Sequence, residues 1–383
     1  MGCKHVRLSD VAILTPGFAF KSKDFGNYDA KAIKITDISD DCCSSDLAGV
    51  NIDEYSLAKM KKYLVHPGDY FLAMTGSIGK VGRITVGSAY LNQRVLGVQP
   101  SAAINKGYLW HLLNSNDFKN HLLTHIDSHS VQANISAKSV GSFEFDLPER
   151  NTQDAIASIL GSFDSKIQCN TRLNGYLGEQ CEAIASHEKG HIVELASLCD
   201  LVKDKADYSE ANFDTYVSTE SLLPGKKGRQ TPSSLPQAGK ITVYKVGDIL
   251  VSNIRPYFKK IWYADQAGTC SGDVLVFRAK QPGQSGYLYS RMRSDTFFDY
   301  VMKGAKGTKM PRGDKKQMLT YKVGGNPNGA TIDYIESALN QASSISKENR
   351  KLAALRDALL PKLMSGEINV SKIDLMQLNS HLA

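Results

Sequence analysis

The sequence contains no apolar run long enough to form a membrane-spanning helix, although 42% of its 383 residues are hydrophobic. Its first residues also lack the apolar segment of a secretory signal peptide. The seven cysteines are an odd number and include no C-x-x-C pair, which argues against a disulfide framework and against a structural zinc site. These absences predict a cytoplasmic protein that keeps its thiols free and does not associate with a membrane.

Motifs that would indicate catalysis are missing as well. No G-x-G-x-x-G precedes a helical pattern, and Gly76–Lys80 lacks the first glycine of a phosphate-binding loop because Met74 stands at that position. The H-E-x-x-H pattern from His187 to His191 would bind zinc only on one continuous helix, and Gly190 is expected to end that helix. We therefore expect no catalytic residue, no metal site and no cofactor in this chain.

The most informative feature that is present is a long repeat. Residues 151–190 align with residues 330–369 at one fixed shift (331 − 152 = 179), and the alignment extends upstream. In the first copy the apolar residues form a narrow coiled-coil-like stripe, and both copies are predicted to be single long helices of roughly 50 Å at 1.5 Å per residue. Thr152 and Thr331 are expected to be their N-caps. Such a stripe needs a partner, and the other copy is the obvious one.

The stripe identifies the residues expected at the seam between the two helices, which we predict to be antiparallel. They are Ile156, Leu160, Phe163, Ile167 and Leu177 in the first copy and Ile335, Leu339 and Leu352 in the second. Asn170 and Asn174 interrupt the first stripe, and Asn349 stands at the position that matches Asn170 (349 − 170 = 179). Polar residues in an apolar seam lower stability but fix its register.

The repeat predicts an α+β chain in which globules and helices alternate, with pseudo-two-fold character. We assign residues 1–150 and 191–329 to two similar α/β domains, 151–190 and 330–368 to the two helices as a coiled-coil spacer, and 369–383 to a C-terminal tail. Ile373, Leu375 and Leu378 in the tail repeat an apolar triplet that opens each globule, so we expect the tail to pack on the first domain. A frayed terminus is the alternative.

The net charge is only +7, so an interaction with nucleic acid depends on where the basic residues lie. Residues 303–316 hold six basic residues against Asp314 alone, and residues 253–263 interleave three basic residues with four aromatic ones. Lysine and arginine contact phosphates, while Arg, Asn, Gln and Ser can contact base edges. A solvated basic surface is the alternative for the run 303–316 taken by itself.

The loops of the two globules differ where their frameworks match, which favours function in the loops. The residues predicted to face DNA are Lys80, Arg83, Gln93, Arg94, Gln132 and Asn134 in the first globule and Asn253, Arg255, Tyr257, Lys259, Lys260, Lys306, Lys309 and Arg312 in the second. The loop around Met310-Pro311-Arg312 is replaced in the first globule by Val131-Gln132-Ala133, so the two globules are not expected to read the same bases.

Two stretches of the second globule, GDILVSNIRPYFKKIWYA (247–264) and CSGDVLVFR (270–278), combine with the repeat to give a family resemblance. Over essentially its whole length the chain resembles a specificity (S) subunit of a type I restriction-modification system, and HPGDYFLAMTGSIGKVG (66–82) is similar in a looser way. The resemblance implies two target-recognition domains, each of which reads one half of a split, asymmetric DNA target. It also implies paired helices that set the gap, and no catalytic activity in this chain.

The resemblance implies the partners too. Besides double-stranded DNA, they are two DNA methyltransferase subunits, which dock on the helices, bind S-adenosylmethionine and methylate adenine. ATP-dependent restriction subunits, which use Mg²⁺, join some such complexes. Two other interpretations stay open: a two-lobed protein scaffold that never contacts DNA, and a stand-alone DNA-binding regulator without catalytic partners. Retention on heparin and salt-sensitive binding to duplex DNA would exclude the scaffold.

Overall fold

Two compact units make up the structure. The computed structural model of the chain describes residues 3–39, 42–53, 55–126, 133–188 and 190–370. Unit 1 comprises Met1–Lys166 together with Leu352–Ala383, and unit 2 comprises Ile167–Lys351. The boundaries fall inside two long helices, so each unit holds one globule and a part of both helices.

Unit 1 combines strands and helices. Its strands are β1 (Cys3–Arg7), β2 (Ala12–Pro16), β3 (Phe25–Ile33), β4 (Cys42–Cys43), β5 (Ala48–Val50), β6 (Leu64–Val65), β7 (Tyr70–Ala73), β8 (Val81–Val86), β9 (Ala89–Leu91), β10 (Val95–Pro100) and β11 (Glu144–Pro148). Its shorter helices are α1 (Leu8–Val11), α2 (Leu57–Met60), α3 (Lys106–Asn114), α4 (Asn116–Thr124) and α5 (Ala137–Gly141). The mixture of α and β elements predicted for the first globule is confirmed.

The strands of unit 1 form three sheets, in the orders β2-β10-β7-β8-β4, β5-β3-β9-β6 and β1-β11. Strand β7 lies in the middle of the largest sheet and is buried along its whole length, as its apolar sequence Tyr-Phe-Leu-Ala requires. The turn before it needs a glycine, because Gly68 has a φ of +87° in the left-handed region.

Unit 2 repeats this construction. Its strands are β12 (Ile192–Glu194), β13 (Cys199–Leu201), β14 (Lys205–Asp207), β15 (Tyr216–Val217), β16 (Lys240–Tyr244), β17 (Ile249–Ser252), β18 (Ile261–Tyr263), β19 (Gly268–Cys270), β20 (Val274–Ala279) and β21 (Lys322–Gly324). Its shorter helices are α7 (Leu195–Leu198), α8 (Ser285–Met292), α9 (Asp295–Lys303) and α10 (Lys315–Leu319). The turn before β17 again contains a left-handed glycine, Gly247, with a φ of +85°.

The two globules share a framework of strands. The sheets of unit 2 have the orders β13-β20-β17-β18, β14-β16-β19-β15 and β12-β21. The first of these repeats the order β2-β10-β7-β8 of unit 1, and in both globules the opening strand pairs with the last one. The edges differ, since β4 adds a fifth strand to the large sheet of unit 1. Equivalent serines also begin equivalent helices, because Ser115 and Ser294 (294 − 115 = 179) accept the amides of Phe118 and Phe297.

In unit 2 the aspartate that follows the turn glycine pairs with an arginine. Asp248 is buried and binds Arg278 through two bonds, from Nε to Oδ1 at 2.8 Å and from Nη2 to Oδ2 at 2.6 Å. Its counterpart in unit 1 is Asp69, whereas the position of Arg278 is held by Gln99 (278 − 99 = 179). The ion pair therefore belongs to unit 2.

The long helices are α6 (Arg150–His187) and α11 (Gly329–Met364), of 38 and 36 residues. The prediction that Thr152 and Thr331 are N-caps is wrong. The Thr152 amide donates to the Glu149 carbonyl at 3.0 Å, and the Thr331 amide donates to the Asn328 side-chain oxygen at 2.8 Å, so both threonines lie in the first turn. Because α6 ends at His187, it does not extend to the second histidine of the H-E-x-x-H pattern.

Within unit 2 the two helices run antiparallel. The Asn170 side-chain nitrogen donates to the Asn349 side-chain oxygen at 2.9 Å, and the Asn174 side-chain nitrogen donates to the Ser346 hydroxyl at 3.0 Å. Residue numbers thus rise along α6 as they fall along α11. Asn170 and Asn349 occupy the same position of the repeat, so the helix pair has a local two-fold relation at this bond.

The predicted seam residues divide by burial. Ile156, Leu160, Phe163, Ile335, Leu339 and Leu352 are buried, while Ile167 and Leu177 are half-buried. Ile335 and Leu339 lie in a cluster with Phe277 and Tyr287, and a Cβ on Gly286 of α8 would come within 3.0 Å of both residues. The expectation that Ile335 and Leu339 pack only against the other long helix is therefore incomplete, because this part of α11 also covers the apolar face of the globule.

In unit 1 the helices meet through charge. Arg356 of α11 donates from Nη1 to Oδ1 of Asp164 on α6 at 2.6 Å.

The predicted docking of the C-terminal tail concerns Ile373, Leu375 and Leu378, which lie outside the described residues. Val370, the last residue described, is buried.

Candidate nucleic-acid interface

Three segments that are far apart in the unit 1 sequence come together beyond the C-terminal end of β7. Met74 lies between the other two segments: its amide donates to the Arg94 carbonyl at 2.9 Å, and its carbonyl accepts the Ile135 amide at 2.9 Å. An isolated β-bridge joins Thr75 to Asn134. We call this arrangement the unit 1 loop cluster, and it consists of residues 74–80, 92–94 and 133–135.

The same bonds recur beyond the C-terminal end of β17 in unit 2. The Asn253 amide donates to the Asp273 carbonyl at 2.8 Å, and the Asn253 carbonyl accepts the Gly313 amide at 3.2 Å. An isolated bridge joins Ile254 to Arg312. These residues follow their unit 1 counterparts by 179 or 178 positions (253 − 74 = 179; 313 − 135 = 178). We call residues 253–260, 271–273 and 306–313 the unit 2 loop cluster.

One segment of the unit 2 loop cluster is a short hairpin. Lys306 and Arg312 exchange backbone hydrogen bonds of 2.9 Å in both directions, and the Arg255 amide donates to the Pro311 carbonyl at 2.8 Å. Lys309 and Met310 lie at the exposed tip. Lys309 has no ion pair with any residue in the described part of the chain, so the tip presents a free positive charge beside an apolar side chain.

The loop 253–260 has an unusual backbone. Arg255 and Lys259 both have positive φ angles, 50° and 51°, and between them Pro256–Phe258 forms a single 3₁₀ turn. Left-handed conformations cost non-glycine residues free energy and cluster at functional sites. The turn exposes the Tyr257 ring, which is 47% accessible, next to the exposed Phe258 ring with centroids 4.6 Å apart. Two adjacent aromatic rings thus project from this loop, whereas its basic residues Arg255, Lys259 and Lys260 are half-buried.

Several predicted contact residues are exposed and available. Lys80, Gln93 and Arg94 are exposed in the unit 1 loop cluster, and Arg94 has a left-handed backbone with φ of 68°. Lys306 is exposed in unit 2, with its ammonium 3.7 Å from a carboxylate oxygen of Asp314. Each loop cluster therefore has basic side chains that face solvent.

Other predicted contact residues are used inside the protein. Lys260 donates to the Thr219 carbonyl at 2.6 Å, and burial lowers the pKa of its ammonium. Arg83 lies on β8 with its guanidinium 4.9 Å from the Trp110 ring centroid. Sequence reasoning placed both in the DNA-facing set because it counts charges in a loop or strand end without knowing the direction of the side chain.

Lys259 is tied to a network behind the cluster. Its ammonium lies 3.0 Å from Oδ1 of Asp295, which Lys226 also binds at 2.7 Å, and Lys226 in turn reaches Glu182 of α6 at 3.2 Å. The two lysines hold the pKa of the Asp295 carboxyl below its usual value. Sequence analysis missed this link, which crosses from residue 226 to residue 295 without any local pattern.

The two predicted asparagines are less accessible than expected. Asn253 is 6% exposed, and its side-chain oxygen has no hydrogen-bond partner among the described residues. The Asn134 side-chain oxygen is likewise buried without a described partner. Gln132, the remaining predicted contact, lies outside the described residues. Each cluster therefore holds an amide oxygen with unused hydrogen-bonding capacity.

Comparison with known proteins finds a family match in the first part of the chain. Residues 2–177 match the family model described as "Type I restriction modification DNA specificity domain". This part of the chain, somewhat less than half of its length, is similar to a type I specificity domain. The matched range contains the whole unit 1 loop cluster, and the duplicated framework places an equivalent cluster in unit 2.

A curated relative is similar over part of its length. The chain is 25% identical to the "Type I restriction enzyme EcoDI specificity subunit" of Escherichia coli over 182 residues, which are 46% of this chain and 40% of the relative. The chain thus matches about 40% of the length of that specificity subunit.

Two solved structures of the family align along nearly the whole chain. The S subunit from M. genitalium has 12% identity and a TM-score of 0.49, covering 95% of this chain and 96% of that one. The HsdS subunit from Thermoanaerobacter tengcongensis has 14% identity and a TM-score of 0.38, covering 96% of this chain and 97% of that one.

The described residues include neither a group of metal ligands nor a helix suited to a membrane. Within them no three His, Cys, Asp or Glu side chains are grouped in a way that would hold a metal ion. Among the helices described, none combines the length and the apolarity needed to cross a bilayer.

Proposed function

We propose that this chain is the sequence-specific DNA-binding subunit of a type I restriction-modification enzyme, without catalytic activity of its own. Each loop cluster reads one half of a bipartite DNA target. The duplicated loop cluster is the observation that carries the proposal: the same backbone bonds hold three loops together in each unit, while the exposed side chains differ. A split target with two different halves requires this combination.

We propose further that the long helices form the coiled-coil spacer between two target-recognition domains and dock two DNA methyltransferase subunits. Exposed apolar residues on α6, Leu173 and Tyr176, support a role in contact with protein. On this proposal S-adenosylmethionine binds the methyltransferase subunits, and ATP with Mg²⁺ binds restriction subunits where these are present. The chain would then act in the cytoplasm, together with the DNA that its partners methylate.

The test uses the chain assembled with its methyltransferase. Lys309→Ala in unit 2 and Arg94→Ala in unit 1 should each weaken binding to random duplex DNA and lower the slope of log affinity against log salt by about 0.9. The control is Lys245→Ala, because Lys245 is exposed but precedes β17, whereas the loop cluster follows that strand. Its slope should equal that of the native complex.

Mapping of methylated adenines completes the test. The native complex should methylate one bipartite sequence. Failure to bind duplex DNA would instead favour the two-lobed protein scaffold. Specific binding without any methylation when the cognate methyltransferase is present would favour the stand-alone regulator. Equal salt slopes for Lys309→Ala and Lys245→Ala would contradict the assignment of the unit 2 loop cluster.

A further inference from the structure

A carboxylate and a guanidinium face each other within the unit 2 loop cluster. Nη1 of Arg312 lies 3.1 Å from Oδ1 of Asp273, and Nη2 lies 3.4 Å from Oδ2. Arg312 stands at the end of the hairpin and Asp273 in the turn before β20. The Arg312 side chain is 53% exposed, and an exposed pair of this kind adds little stability. Its effect is to hold the guanidinium in one orientation.

The orientation leaves a defined edge of Arg312 free. A guanidinium has five N–H donors, and Asp273 takes one from each terminal nitrogen. The Nε–H and the second N–H of Nη2 lie side by side on the remaining edge, and no described residue accepts from them. Guanine presents two adjacent acceptors, N7 and O6, in the major groove, and a bidentate arginine is the commonest partner for them.

Unit 1 shows that the shared framework does not need this ion pair. The position of Asp273 is held there by Arg94 (273 − 94 = 179), and the position of Arg312 by Asn134 (312 − 134 = 178). The same backbone bonds form around these residues, at 2.9 Å from the Met74 amide to the Arg94 carbonyl. Arg94 has no carboxylate partner among the described residues. The pair is therefore a feature of the surface of unit 2, where side chains differ between the clusters.

Resting on the proposed function, we propose that Asp273 is a positioning residue that fixes Arg312 for bidentate contact with a guanine in the half-target read by unit 2. Arg312 makes the base contact, and Asp273 acts through it. The half-target read by unit 1 is recognised by a different set of side chains. In that set Arg94 occupies the position that Asp273 holds in unit 2.

The experiment measures binding of the assembled complex to the target that mapping of methylated adenines identifies. It also measures binding to variants of that target in which each base is changed in turn. Arg312→Ala should reduce affinity for the native target roughly tenfold to a hundredfold and abolish the preference for guanine at one position of one half. Arg312→Lys keeps the charge but not the fork, so it should retain affinity for random DNA while losing the same preference. The other half of the target serves as an internal control for folding.

Asp273→Asn separates positioning from charge. Removing a negative charge from a DNA-facing surface should leave affinity for random DNA equal or higher, whereas the preference for that guanine should fall several-fold. The double variant Asp273→Asn with Arg312→Ala should discriminate no worse than Arg312→Ala, because the carboxylate acts only through the arginine.

Three outcomes would overturn the inference. Arg312→Ala could weaken binding to target and random DNA alike, as a phosphate contact would. The affected base could be other than guanine. The two single variants could have additive effects on discrimination. In each case the native complex would still bind one bipartite sequence, so the proposed function would stand. Loss of sequence preference in the native complex itself would defeat both.

Discussion

We predict that the bond between Asn170 and Asn349 sets the register of the helix pair and lowers its stability. Replacing both residues by leucine should remove that loss of stability. Asn170 is 5% exposed and donates to the Asn349 side-chain oxygen at 2.9 Å and to a Glu348 carboxylate oxygen at 2.8 Å. Substituting Asn170 alone by leucine removes both bonds. Glu348 is exposed and regains water, but the Asn349 oxygen is left facing an apolar side chain.

The magnitude follows from these two consequences. A neutral hydrogen bond contributes about 1 kcal/mol net, and a buried acceptor left without a donor costs about 1–3 kcal/mol, so the lower end of that range applies to the oxygen of the half-buried Asn349. The hydrophobic gain of a leucine offsets part of this. We therefore expect Asn170→Leu to lower the free energy of unfolding by about 2 kcal/mol. The double variant with Asn349→Leu leaves no orphaned group, so its stability should equal or exceed that of the native chain.

Urea unfolding followed by far-ultraviolet circular dichroism, with both single variants and the double variant, gives the coupling energy. We expect coupling of about 2 kcal/mol or more. Asn174→Leu is the comparison, because the Ser346 hydroxyl that it leaves also bonds the Ala342 carbonyl at 2.9 Å and is not orphaned. A coupling near zero, or a double variant as unstable as the sum of the singles, would refute the reasoning.

Three further predictions concern single groups. Asp248→Asn should destabilise the chain by about 2–4 kcal/mol, because it breaks the ion pair between the buried carboxylate and Arg278. The matched change Asp69→Asn in unit 1 should cost clearly less, and thermal unfolding of the two variants compares them. Burial lowers the pKa of His111 from its ordinary value of 6.5 to about 4. The stability that neutral His111 contributes is therefore present above pH 6.5 and is lost as the pH falls towards 4, by about 3 kcal/mol in the free energy of unfolding. His111→Phe should flatten stability curves measured across that range. Burial raises the pKa of the Cys42, Cys181, Cys199 and Cys270 thiols to about 11 or 12. A thiol reagent at pH 8 should therefore modify the exposed Cys3 and Cys169 of the native chain first, and mass spectrometry of the labelled peptides measures the order.

The repeat predicted much of the architecture because backbone structure depends on spacing more than on identity. A constant shift of 179 places Gly68 and Gly247 in equivalent left-handed turns, and Ser115 and Ser294 at equivalent helix starts. The same shift relates Asn170 to Asn349, which are bonded to each other across the helix pair. Glycine in a turn, a serine cap and an apolar stripe act locally, so they can be recognised in a sequence.

Contacts between distant segments could not be predicted in this way. Lys260 donates to a carbonyl at residue 219, and Arg312 pairs with a carboxylate at residue 273. Neither spacing follows a helical or strand period. The wrong N-cap at Thr331 has a different cause, because asparagine and threonine both suit an N-cap and it is the Asn328 side chain that accepts an amide of the first turn. A charge in a loop shows that a cation is present, but not whether its head group meets solvent or the protein.

The loop clusters show how one framework can carry two different surfaces. The bonds that hold each cluster together run between amides and carbonyls, at Met74 in unit 1 and at Asn253 in unit 2. Because every residue except proline supplies these groups, substitution of the side chains leaves the cluster assembled. An arginine and an aspartate can therefore occupy the same position, as Arg94 and Asp273 do, without loss of the loop geometry. Substitutions at such positions change the surface of the cluster and keep the backbone bonds that hold it together.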